Sequence, residues 1–207
     1  VASSNKLDPR SWPGLAIFLV AGLVLGLTAG LVLTRDNNPG DTSAEAGFAR
    51  DMAMHHAQAV AMGMIAYQHG FDGEIRVMGG DIALTQQGQI GRMNQWLEQW
   101  GLGQNSTQAA MSWMPAGMGS LENGLMPGMA TQAEMDALEK ATGTEVDRLF
   151  LEMMIKHHLG GVHMVDGVLK LSNDPDVVAL ASTMKANQQA EITYMQELQK
   201  KLPRKTG

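Results

Sequence analysis

The apolar residues of this chain fall into three textures. Leu15 to Leu33 is an unbroken uncharged run of 19 residues. At about 1.5 Å of rise per residue, such a run just crosses a hydrocarbon core. From residue 44 the texture changes to helical periodicity. Phe48, Met52, Ala59, Met62 and Ala66 keep to steps of 3, 4 and 7, which is one face of a helix over about 44–69. Gly70-Phe-Asp-Gly73 interrupts it, and Asp72 is a natural N-cap for the next helix. Ile75, Met78, Ile82, Met93, Leu97 and Trp100 carry that helix over about 73–100. The third texture is 101–130, rich in Gly, Met and Pro and without a sustained period. A connection of this length is usually functional or mobile.

Periodicity then resumes. Thr131 and Glu134 form a capping box for a short helix over 131–141, ended by Gly143. A helix over 144–171 has Phe150, Met154, His157, Gly161, Met164 and Val168 on one face. After Asn173-Asp-Pro175, with Asp174 capping and Pro175 at the first helical position, a last helix runs over 175–201 on Val178, Ala181, Met184, Ile192, Met195 and Leu198.

The two halves of this text are one text written twice. Met52-Ala-Met-His55-His56 returns as Met154-Ile-Lys-His157-His158, 102 residues later. Without a gap, Phe48 aligns with Phe150, Val60 with Val162, Met62 with Met164, and Asp72 with Asp174. Gln86-Gln87 align with Gln188-Gln189, Ile90 with Ile192, and Met93 with Met195. Two homologous helical hairpins joined by a long crossover predict an all-α, antiparallel four-helix bundle over 44–202. Before it lie a segment 1–13, the apolar run within 14–33 and a polar linker 34–43; a tail, 203–207, follows.

Charge places the run. Lys6 and Arg10 precede it, and Asp36, Asp41 and Glu45 follow with only Arg35 and Arg50 nearby. The positive-inside rule puts the N-terminus in the cytoplasm and the bundle outside. The run is long for a signal segment and no clean cleavage site follows, so the expectation is a single-pass membrane anchor with an extracytoplasmic domain. The formal net charge of -6 and the absence of a basic stripe argue against nucleic acid. There is no cysteine, so disulfides and thiolate metal sites are excluded. Methionine is abundant at 17 residues, whereas aromatic residues make up only 5% of the chain.

Four of the six histidines belong to the repeated pairs. His55 and His157 fall on the core-facing stripes, where a buried imidazole needs a partner. His56 and His158 point about 100° away, toward a flanking site, a supporting position or the surface. Met52 and Met62 share the face of His55, and Met154 and Met164 that of His157. Thioethers are soft and select Cu(I), and imidazole suits copper, so the candidate ligands are His55, His56, His157, His158, Met52, Met62, Met154 and Met164, with Asp51 as a carboxylate ligand or orienter. Met126, Met129 and His163 are secondary candidates, and Gln86 and Gln188 are candidate orienters of the imidazoles. No Glu-x-x-His occurs, which argues against di-iron carboxylate chemistry. The same residues are equally consistent with a hydrogen-bonded core using methionine as filler. No nucleophile–base pair or organic-cofactor motif is visible, so an enzyme is not the expectation; a redox enzyme using the bound metal is the third reading.

Phe48-Ala-Arg-Asp51-Met52 with His55-His56, Met126-Pro-Gly-Met129, and Asp147 to Met154 with His157-His158 resemble the bacterial "domain of unknown function 305" family over about 45–202. The resemblance implies a ferritin-like four-helix bundle that is secreted or membrane-anchored, and an association with copper binding or tolerance. The family often has proline before the first histidine. Here Met54 and Lys156 stand there, and the charge of Lys156 opposes cation binding beside His157. The expected function is copper buffering or delivery. The alternative is a metal-free accessory subunit that docks on a membrane complex through an exposed Trp113, the Met-rich crossover and the anchor.

Overall fold

The computed structural model describes residues 20–24, 26 and 38–203. The chain divides into two units, Val1–Asn38 and Pro39–Gly207. In the first, residues 20–24 and 26 are helical, and most of the expected span 14–33 lies outside the described residues. Among the described residues no helix is long and apolar enough to cross a membrane.

The second unit is built from helices α1 (Ala44–His69), α2 (Gly73–Gln99), α3 (Gln132–Lys140), α4 (Thr144–Leu171) and α5 (Pro175–Lys201). Local chemistry sets their ends. Ser43, Asp72 and Asp174 cap α1, α2 and α5 through side-chain oxygens that accept from the first-turn amides. Thr131 and Glu134 make a complete capping box on α3. Gly143 does not end α3, which closes at Lys140; with φ +60 it is the N-cap of α4.

α1 pairs with α2 and α4 with α5, and the two hairpins meet chiefly through α1 against α4. Gly63 and Gly79 let the backbones of α1 and α2 approach until a Cβ on either would collide with the other's carbonyl. Val165 and Ala181 occupy those positions in the second copy, and α4 and α5 pack less closely.

Two buried clusters show how α1 lies on α4. Phe48 and Met52 pack with Met93, Met164, Val168 and Met184. Ala66 and Met62 pack with Met78, Phe150, Met154 and Met195. The N-terminal half of α1 thus meets the C-terminal half of α4, so the two run antiparallel. Exchanging each residue for its copy exchanges Phe48, Met52 and Met93 of one cluster for Phe150, Met154 and Met195 of the other. A pseudo-twofold axis therefore passes between the clusters, where His55 and His157 sit.

The crossover is packed, not loose. Trp113 lies over Gly47, Met114 over Gly167, and Pro127 over Gly160; a Cβ on any of these glycines would collide with its guest. Asp51 accepts from the Met111 amide and from Trp113 Nε1, each at 2.7 Å. Gln58 exchanges two hydrogen bonds with the backbone of Ala130, at 2.9 and 2.7 Å. Met111, Met114 and Met126 are buried, and Trp113 is half-buried with its indole N–H engaged. The expectation of an exposed Trp113 is corrected: the Asp51 carboxylate at the base of the loop draws the ring down.

Gly160→Ala is expected to lower stability by about 1–3 kcal/mol, because α4 must yield to the Pro127 carbonyl. Gly88→Ala, with open space around it on α2, is expected to raise stability by about 0.5–1 kcal/mol through helix propensity. Urea denaturation of the two variants checks the pair; equal shifts would refute this account of the crossover.

Candidate metal centre

Antiparallel crossing brings His55 and His157 ring to ring, with centroids 3.8 Å apart and planes inclined by 33°. Both are essentially fully buried, as are His56 and His158. The outer pair is therefore inside the bundle and not at its surface. His158 lies with its ring centroid 6.4 Å from that of His157.

Hydrogen bonding fixes which nitrogen of three rings carries the proton. His55 Nε2 donates to the Pro127 carbonyl at 3.0 Å. His56 Nε2 donates to Gln89 Oε1 at 2.7 Å, and His158 Nε2 to the Glu191 carboxylate at 2.7 Å. A neutral imidazole has one N–H and one lone pair, so in the neutral form of each ring the lone pair sits on Nδ1. In all three residues that Nδ1 is buried without a hydrogen-bond partner, and in His157 it is Nε2 that lacks one. An imidazole held by oxygen at one nitrogen and bare at the other is the arrangement of a metal-ligating histidine and its supporting shell.

Burial keeps the rings of His55, His56 and His157 neutral. Desolvation pulls the His55 pKa down to about 4 and that of His56 to about 3. His157 is lowered as well, first by desolvation and then by the neighbouring imidazoles. The lone pairs of these three rings thus stay free of protons at neutral pH.

The thioethers divide. Met52 and Met164 lie in the cluster on one side of the crossing, and Met62 and Met154 in the cluster on the other. The helix period puts them on the histidine face, and the antiparallel pairing then separates them along the bundle. Met126 joins the first cluster as a buried residue and Met129 as a partly buried one, in a turn closed by Met129 N donating to Met126 O at 3.1 Å. Asp51 faces Met111 and Trp113, so its carboxylate is committed to the crossover and not to the rings. Its pKa is raised, chiefly by burial, with those two hydrogen bonds opposing. His163 donates from Nε2 to the Met118 carbonyl at 2.9 Å, on the crossover side. Gln86 and Gln188 are buried with Oε1 unpartnered, and Gly161 leaves room for the Gln188 amide. Among the described residues no three His, Cys, Asp or Glu side chains are arranged to hold a metal ion. A cation here would draw on the imidazoles together with thioether sulfur.

Two hydrogen-bond partners of the buried rings were not evident in the sequence. Gln89 and Glu191, which hold His56 and His158, occupy equivalent places in the repeat, three residues beyond Gln86 and Gln188. Their shared register was the available signal. The substitution of Glu for Gln hid it.

The family model for DUF305, a domain of unknown function, matches residues 45–199. The chain belongs to the DUF305 family. A DUF305 protein of Streptomyces coelicolor is similar in structure, with 42% identity and a TM-score of 0.71, covering 77% of this chain and 93% of that one. A DUF305 fragment from Deinococcus radiodurans shows 30% identity and a TM-score of 0.65, covering 77% and 97%. CopM in its Cu(II)-bound form shows 27% identity and a TM-score of 0.59, covering 76% and 96%. No curated protein matches the sequence.

The lowered imidazole pKa values make stability pH-dependent. Between pH 6.5 and about 4 the unfolded chain binds protons that folded His55, His56 and His157 refuse. Their contribution is fully present above pH 6.5 and is lost as pH falls through that window. The slope is about 1.4 kcal/mol per pH unit for each ring. Urea midpoints at pH 7.5, 6.0 and 5.0 are expected to fall steadily, and to fall less in His56→Gln. A flat profile would contradict the burial of neutral rings.

Proposed function

We propose that this DUF305 protein binds copper as Cu(I), through His55 and His157 with His56, His158 and methionine sulfur in support, and serves to buffer or deliver it. The observation that carries the reading is the set of four buried ring nitrogens left without partners where two duplicated helices cross. Neutral imidazole and thioether suit the soft monovalent ion, and the absence of cysteine leaves methionine as the sulfur donor. The likeness to CopM, whose structure is known in a Cu(II)-bound form, supports the metal. The reading is of a binding protein and not an enzyme.

Met52, Met62, Met154 and Met164, on the histidine faces of their helices, are the proposed thioether donors, with Met126 and Met129 from the turn whose Pro127 carbonyl meets His55. Asp51 is left out of the ligand set, since two donors already hold its Oδ2. The apolar run Leu15–Leu33, with Lys6 and Arg10 before it, supports a single-pass membrane anchor and an extracytoplasmic bundle.

The full chain in detergent is expected to take up Cu(I) under anaerobic conditions and to hold it against a chromophoric Cu(I) chelator. A His55→Ala/His157→Ala double variant with wild-type helical circular dichroism is expected to lose at least tenfold in affinity, about 1.4 kcal/mol or more. Equal retention by the two proteins would remove the crossing from the argument.

A further inference from the structure

Duplication supplies an internal control: each face of the bundle can be compared with its own copy. The crossover covers α1 and α4. Between α2 and α5 lies a groove of about 570 Å³ lined by Glu74, Met78, Asp81, Glu191 and Tyr194, among others. The counterparts of these five, 102 residues away, are Asp176, Leu180, Thr183, Gln89 and Arg92. The copies differ in charge. On the groove side stand three carboxylates, of which Glu74 is paired with Lys201 at 3.0 Å. On the copy side, two of the three carboxylates are replaced by Thr183 and Gln89, and the third, Asp176, meets Arg92 at 3.4 Å. Arg92, which stands where the groove has Tyr194, also lies over the Trp96 ring at 5.5 Å.

Glu191 joins this groove to the buried rings. Its carboxylate, 28% exposed, lines the groove and accepts from His158, which is fully buried and has its Nδ1 unpartnered. Gln89 is joined to His56 in the same way, but it is neutral.

Resting on the copper reading above, we infer that the cation enters and leaves the crossing through the α2/α5 groove, with Glu191 as the exchange residue, and that the symmetry-related Gln89 face does not serve. The groove concentrates cations electrostatically, since carboxylates that line a concave surface raise local cation concentration and on-rate. Met78 adds a thioether to the lining, and Asp81 adds an exposed carboxylate beside Glu74, which Lys201 holds, and Glu191, which His158 holds. The Glu191 carboxylate offers a hard oxygen, which holds a soft ion weakly. Weak holding suits a transfer point: the ion passes from oxygen at the groove to nitrogen and sulfur within. Arg92 on the opposite copy presents a positive charge where the groove presents a phenol, so the two faces are not interchangeable.

The test is stopped-flow association of Cu(I) with the full chain in detergent, at low and at high ionic strength, beside equilibrium affinity by chelator competition. Glu191→Gln is expected to slow association about tenfold and to flatten its salt dependence. Asp81→Asn, an exposed change, is expected to slow it about twofold, and it carries the test should Glu191→Gln disturb the fold. Arg92→Ala is expected to leave the rate unchanged. If the wild type binds Cu(I) and both carboxylate variants associate at the wild-type rate with the wild-type salt dependence, the route is wrong while the copper reading stands. A faster rate in Arg92→Ala would move the route to the other face. A wild type that takes up no Cu(I) overturns both.

Discussion

The antiparallel crossing of α1 and α4 at His55 and His157 is the constraint from which the rest of this bundle follows. Two helices with the same residues at the same register, laid head to tail, meet their own copies only at one level. That level is the histidine pair, with ring centroids 3.8 Å apart. Two imidazolium charges this close and this deep would repel strongly, since the interaction of unit charges grows as the dielectric falls. The fold therefore requires neutral rings, and desolvation keeps them neutral. Every residue above the crossing then finds its counterpart below it, which is why Met52 lies with Met164 and Met62 with Met154.

One chain cannot keep that symmetry. A single crossover must connect the hairpins, and it lies on α1 and α4 in notches made by Gly47, Gly160 and Gly167. It delivers one backbone carbonyl, from Pro127, to His55. The unpartnered nitrogen is Nε2 in His157 and Nδ1 in His55, so the paired rings are not equivalent. The crossover also spends the Asp51 carboxylate on Met111 and Trp113. The copy of Asp51 is Met153, which has no loop to hold. Departures from the repeat thus mark where the linker lies.

Much of this was legible in the residues. Apolar positions at helical spacing, with Thr131, Asp72 and Asp174 at the caps, place the helices to within about one residue at most ends. The 102-residue repeat implied a pseudo-twofold and hence a meeting of His55 with His157. The levels of the thioethers along the bundle were not legible. A face assignment says which way a side chain points, not at which level along the axis it lies, and antiparallel packing spreads Met52 and Met62 to opposite sides of the rings. The crossover was opaque for a different reason. It has no period, and its side chains are placed by glycines more than fifty residues away in most cases, as Trp113 is by Gly47 and Met114 by Gly167. The expected span at 14–33 stands mainly on residues outside those described.

Four ring nitrogens and two amide oxygens buried without partners are an unusual burden at one level of a bundle. Each unsatisfied group costs about 1–3 kcal/mol, and apolar side chains of similar volume would avoid the cost. Sequences that specify a fold break their own rules at functional sites, and a soft cation would engage those lone pairs. The division of labour among the donors follows from their stiffness. Three of the four imidazoles are held in place by Pro127, Gln89 and Glu191, and His157 by the His55 ring packed against it. The methionines on either side are unbranched, with three rotatable bonds and a polarizable sulfur, and they pack in clusters that adjoin the crossing from both ends. Rings that cannot turn set the position of the proposed site, while sulfurs that can turn are free to approach it from above or below. A scaffold of this kind need not collect its thioethers beforehand, which is why the separation of Met52 from Met62 is compatible with their serving the same ion.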